Sequence, residues 1–156
     1  MEIEGQHMDP NEAAAALADI GRTQTRLADR ARWSLPRHAM FGLVEGLVVA
    51  ALAQPVAQAG AIITAAMILL VICVVDDRRR HGMFVSGWQR GATLPLTIIV
   101  AIFVLAIAMA SVALRDKNAS VPVGYLLGAV TFVICTLASL RWEKVYRADL
   151  VRADTP

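Results

Sequence analysis

The chain has 156 residues, enough for one compact unit and too few for two ordinary domains. Its hydrophobic content of 57% and mean hydropathy of +0.56 exceed what a soluble domain of this size carries, and its charged residues (18%) fall in clusters between long uncharged stretches. The net charge of +2 says little as a total, but the clustering excludes an ordinary soluble domain and points to an all-α polytopic membrane protein, because soluble helices show a polar face every few residues.

In chain order, Met1 to His7 reads as an expression-tag remnant, with Met8 as the start of the native segment, so that residues 1–8 stand outside the fold. No secretory signal is visible. Residues 9–34 read as a cytoplasmic amphipathic helix. Asp9 suits the N-cap, Pro10 the first helical position and Glu12 a capping box. Ala13, Ala16, Leu17, Ile20, Leu27 and Ala31 then recur at helical spacing, with Gly21 as a weak point. The apolar face can lie on the membrane surface or pack on other segments.

Residues 35–141 read as a four-helix transmembrane domain. Its apolar runs cover about 38–54, 56–75, 92–114 and 121–140, each close to the roughly 20 residues needed to cross the hydrocarbon. Barrel strands would alternate polar and apolar residues, and these runs do not. The first connection, around Pro55, is short enough to force a hairpin. Residues 76–91 read as an arginine-rich loop, and residues 142–156 as a cytoplasmic tail in which the last helix continues and Glu143 and Arg147 are spaced for an i,i+4 pair.

Orientation follows from the basic residues. Arg22, Arg26, Arg30, Arg32, Arg37, Arg78, Arg79, Arg80, Arg90, Arg141, Lys144, Arg147 and Arg152 share one side, and Arg115 and Lys117 the other. This bias places both ends in the cytoplasm. Trp33, Trp88 and Trp142 fall at the same side, where indoles favour the headgroup layer.

Glu45 is the one ionisable side chain deep in a span, where a charge costs about 2.5–3.5 kcal/mol on insertion scales. It is the candidate for proton and ligand coupling, since a carboxyl that gains and loses a proton in the membrane can couple proton movement to a bound cation. The alternative is a protonated acid that only fixes packing. Gly42, Gly46 and Ala50 form a small-residue stripe beside it, and Gly124 and Gly128 form a second on the last span. Both read as helix-packing interfaces, within one bundle or between two copies. Thr97, Thr131, Thr136 and Ser139 can donate across helices or to their own backbone.

Arg78, Arg79, Arg80, Trp88 and Arg90 read as contacts to anionic lipid headgroups. Asp76, Asp77 and His81 stand beside three arginines, which disfavours a metal site, and no cofactor motif is visible. Cys73 and Cys135 sit inside apolar runs and read as packing residues. No Ser/His/Asp or Cys/His constellation, zinc spacing or paired carboxylates are apparent, so an enzyme is not expected; nor is a nucleic-acid partner.

The stretches Gly82-Met83-Phe84-Val85-Ser86-Gly87-Trp88 and Arg141-Trp142-Glu143-Lys144-Val145-Tyr146-Arg147, with four spans, resemble small bacterial inner-membrane proteins. That resemblance implies architecture rather than activity. Glu45 in Gly42-Leu43-Val44-Glu45-Gly46 is similar in placement to the membrane-embedded glutamate in the first helix of the small multidrug resistance transporters. This second resemblance implies a dimer that exchanges protons for hydrophobic cations. The leading expectation is a non-enzymatic membrane protein acting through self-association, lipid or a partner, with the stripes as contact surfaces. The alternative is a dimeric proton-coupled exporter using Glu45. An exporter needs Glu45 on an accessible cavity, whereas a scaffold needs it buried against protein.

Overall fold

The computed structural model describes residues 9–30, 32–81, 88, 91–115 and 120–152. The tag and start (1–8), Arg90, Lys117, the segment 82–87 and the end of the tail lie outside the described residues. Among those described are five helices and no strands: α1 (Pro10–Arg30), α2 (Leu35–Leu52), α3 (Val56–His81), α4 (Leu94–Leu114) and α5 (Ser120–Arg152). Leu35–Leu52, Val56–Arg79, Leu94–Leu114 and Val121–Leu150 are each long and apolar enough to cross a membrane. The chain is thus all-helical, with the composition of a multi-pass membrane protein.

Local chemistry accounts for the helix limits. Asp9 opens α1: its Oδ1 accepts the Asn11 N–H at 3.0 Å and its carbonyl accepts the Ala13 N–H at 2.9 Å. Extended Ser34 precedes α2, Pro36 lies in the first turn, and the Ser34 carbonyl receives the N–H groups of Arg37 and His38. Tightened bonds from Ala53 and Gln54 to Ala50 and Ala51 end α2, and Pro55 turns the chain directly into α3.

Two limits differ from the sequence expectation. Residues 76–81 are not loop but the last turns of α3, because Asp77 is buried and paired with Arg37 of α2 while Arg78 and Arg79 extend outward. Helix α4 starts at Leu94, two residues later than the apolar run suggested. Gly91 makes the turn before it with φ of +151°, and a β-carbon there would lie 2.6 Å from Asp149 Oδ2. The same Asp149 oxygen, on α5, accepts the Ala92 N–H at 3.2 Å. At 33 residues α5 is about 50 Å long and overruns the hydrocarbon, as the continuation of the last span requires.

Helices α2 and α5 form the central pair. Helix α3 packs on α2, α4 on both α5 and α2, and α1 on α5. Among the described residues, α3 and α4 do not pack along one another. The tight core is made of small side chains on α2 and α5, with Val49, Ala51 and Cys135 fully buried. Outward residues such as Ile99, Ile102, Leu105, Leu126 and Leu137 are more than half exposed. Water would penalise so large an apolar surface, and lipid does not.

Candidate functional site: a cavity walled by Glu45 and an interhelical polar cluster

The two small-residue stripes meet each other inside one chain. A β-carbon on Gly46 would lie 2.6 Å from the Gly128 carbonyl oxygen, and one on Gly128 would lie 2.7 Å from that of Gly46 and 2.8 Å from Ala50 Cβ. On Gly42 it would run into Thr136 Oγ1 and the Phe132 carbonyl, and on Gly124 it would lie 2.5 Å from Ala53 Cβ. The backbones of α2 and α5 therefore touch because side chains are missing. This leaves neither stripe open to a second copy.

Close approach at α2–α5, without extensive packing of α3 on α4, leaves a cavity of about 600 Å³ bounded by α2, α3, α4 and α5. Glu45 lines it from α2, Leu70 and Cys73 from α3, Val104 from α4, and Ser139 from α5. The wall is predominantly apolar, with aromatic rings from Phe41, Trp88 and Trp142. Phe41 is the only aromatic of the first two apolar runs. The two tryptophans reach the same space from distant parts of the chain. Glu45 is half-buried and makes no hydrogen bond or ion pair among the described residues.

Polar contacts line the basic end of the cavity. Arg37 Nε lies 2.9 and 2.8 Å from Asp77 Oδ1 and Oδ2, and its Nη2 lies 2.8 Å from Oδ2. The guanidinium also sits 4.5 Å above the centre of the Trp33 ring. Its charge is met by Asp77, which leaves the Glu45 carboxyl as the unpaired acid of the cavity wall.

Beside this pair, buried His38 bridges α2 and α5. Its Nδ1 is 2.8 Å from Ser139 Oγ and its Nε2 is 2.8 Å from Glu143 Oε2. The backbone N–H of Trp33 donates to the same Glu143 oxygen at 3.4 Å. Trp142 and Tyr146 stack at 5.0 Å, and Trp33 packs on both. Ser139, His38 and Glu143 are thus brought together as one hydrogen-bonded set, which the sequence reading does not assemble. It is invisible in the sequence because His38 lies 101 and 105 positions from its partners. The available signals were the i,i+4 spacing of Ser139 and Glu143 and the seven-residue spacing that puts His38 and Glu45 on one face of α2. Glu143, expected to pair with Arg147, points into the bundle at His38.

The hydroxyls divide by environment. Thr131 and Thr136 donate to carbonyls four residues back in α5 and Thr97 to that of Thr93 just before α4, whereas Ser139 reaches His38. Ser111, unmarked in the sequence, donates from α4 to the Val49 carbonyl of α2 at 2.8 Å. Of the residues read as headgroup contacts, Arg78, Arg79 and Trp88 are exposed at the basic end, while the Arg80 side chain and Arg90 lie outside the described residues. Comparison with protein families, with curated proteins and with solved structures found no match to this chain.

Proposed function

We propose that the chain is a multi-pass bacterial inner-membrane protein, with both ends in the cytoplasm, that binds small hydrophobic cations between α3 and α4. In this reading Glu45 gives up a proton as the cation arrives, the binding step of a proton-coupled exporter. The observation that carries the reading is an unpaired carboxyl in the wall of a cavity of about 600 Å³, within the range of about 300–1,000 Å³ usual for small-molecule sites.

The physical argument has two parts. A ligand with apolar groups gains by covering the apolar wall, and its positive charge gains by lying over aromatic faces and beside a carboxylate in a medium of low dielectric. A carboxylate there is costly without a counter-charge, and a bound proton or a bound cation can each supply one. Cation and proton therefore compete for Glu45. The association reading drew on the two small-residue stripes, and those are occupied within the chain, so self-assembly would need other surfaces.

The test is proton release from purified protein in detergent when tetraphenylphosphonium is added, comparing wild type with Glu45→Gln. Release close to one proton per bound cation that disappears in the variant supports the reading. No release from a folded, monodisperse wild type across a panel of hydrophobic cations rejects it.

A further inference from the structure

We infer that Ser139, His38 and Glu143 form a proton relay joining the Glu45 cavity to the aqueous basic end of the bundle. The inference deepens the proposed exchange at Glu45 and rests on it for its purpose, though not for its test.

The geometry has a direction. Ser139 lines the cavity, as Glu45 does. Its hydroxyl oxygen is 2.8 Å from His38 Nδ1, the opposite ring nitrogen is 2.8 Å from Glu143, and the Glu143 side chain is 14% exposed. One end of the chain of contacts thus faces the cavity, the other reaches the surface, and the ring between them is 1% exposed. Glu45 lies seven residues along α2 from His38, about 10 Å, and Glu45 and Ser139 both line the cavity, whose volume can admit bridging water between these two polar groups.

Imidazole is the side chain that can accept a proton at one nitrogen while releasing one from the other. Were the cluster only a clip between α2 and α5, an amide or hydroxyl would make the same bonds without an ionisable group in an apolar bundle. The groups facing the ring are consistent with transfer. Glu143 on α5 supplies the acceptor, and the backbone N–H of Trp33 also donates to that carboxylate. Arg37, the neighbouring cation on α2, is neutralised by Asp77 of α3.

The transfer balances in protons. With Nε2 carrying the hydrogen, Ser139 donates to Nδ1. A proton leaving the Glu45 carboxyl reaches Ser139 Oγ through cavity water, and the serine passes its own hydroxyl proton to Nδ1. The Nε2 proton then moves to the Glu143 carboxylate, which releases it to solvent. Reprotonation of Glu45 runs the same transfers backward.

The experiment is a pH jump on purified full-length protein in detergent, with time-resolved infrared detection of the carboxyl band that Glu45→Gln removes. His38→Gln and Ser139→Ala should slow proton exchange at Glu45 by about tenfold or more, whereas Ser139→Thr, which keeps a hydroxyl, should stay within about twofold of wild type. The glutamine amide offers a donor and an acceptor to the same two partners, so a helix clip alone would leave the rate unchanged. Equal rates in wild type, His38→Gln and Ser139→Ala overturn the relay, as does a Glu45 band that ignores pH. Slowed exchange in the variants without any proton release by tetraphenylphosphonium leaves the relay standing and removes the cation-binding reading.

Discussion

Arg37 and Asp77 join the start of α2 to the end of α3 through a two-armed contact, with three nitrogen–oxygen separations between 2.8 and 2.9 Å. The side chains are 24% and 9% exposed, so the pair sits where water only partly screens it. Asp77→Asn leaves the guanidinium facing a neutral amide and should lower stability by about 1–3 kcal/mol, read as a lower unfolding midpoint in detergent. The exchanged pair, Arg37→Asp with Asp77→Arg, should recover part of that loss. Its recovery stays incomplete because the arginine then sits away from Trp33. An Asp77→Asn protein as stable as wild type would show that the contact does not hold α3.

Gly46 and Gly128 make the opposite kind of contact, one that depends on having no side chain. Gly46→Leu must push α2 from α5 and should cost about 1–3 kcal/mol or more, while Gly60→Ala, where a β-carbon meets nothing within 4 Å, should change stability by less than about 0.5 kcal/mol. Size-exclusion chromatography should show the same oligomeric state for both variants and wild type. If Gly46→Leu kept its thermal midpoint but dissociated an oligomer, the stripe would be acting between copies.

Much of the architecture was legible because lipid imposes a one-dimensional rule. A span needs about 20 apolar residues whatever its neighbours do, so the four runs could be counted without knowing their partners. The proximity of Gly42, Gly46 and Ala50 to Gly124 and Gly128 was half-legible. Spacing marks a surface for close approach, but only the fold says that each stripe is the other's partner. The polar cluster was hidden for a different reason. His38 and Arg37 stand at the edge of an apolar run, where a basic residue ordinarily reads as an interfacial flank, and Asp77 sits in an arginine cluster that reads as a loop. What turns them inward is pairing across helices, and pairing leaves no trace in local periodicity. Glu45 stood out because nothing within its own span resembles it.

Orientation rests on the distribution of arginine and can be tested at two positions. In a background with Cys73 and Cys135 replaced by alanine, Gln58→Cys lies in the exposed first turn of α3, at the end remote from the arginines. It should react with a membrane-impermeant maleimide added to intact cells. Ser86→Cys, in the arginine-rich connection, should react only after the inner membrane is permeabilised. The reverse pattern would invert the topology and place His38 and Glu143 at the periplasmic side.

The cavity itself can be removed without touching any ionisable group. Ala101 and Ala108 lie two turns apart on α4 and both line it, so phenylalanine at either position projects a ring into the space facing Glu45. Because both alanines border an open cavity, the added ring has room, and neither variant should lower stability by more than about 1 kcal/mol. Tetraphenylphosphonium binding should nevertheless weaken by about tenfold or more, since the apolar wall that would hold its phenyl groups is occupied. The pH response of the Glu45 carboxyl should survive, because a ring removes ligand volume and not the acid. Loss of both together would mean that the substitution disturbed α2. Undiminished binding in Ala101→Phe and Ala108→Phe would place the cation outside this cavity, and Glu45 would then act on some other ligand or on none.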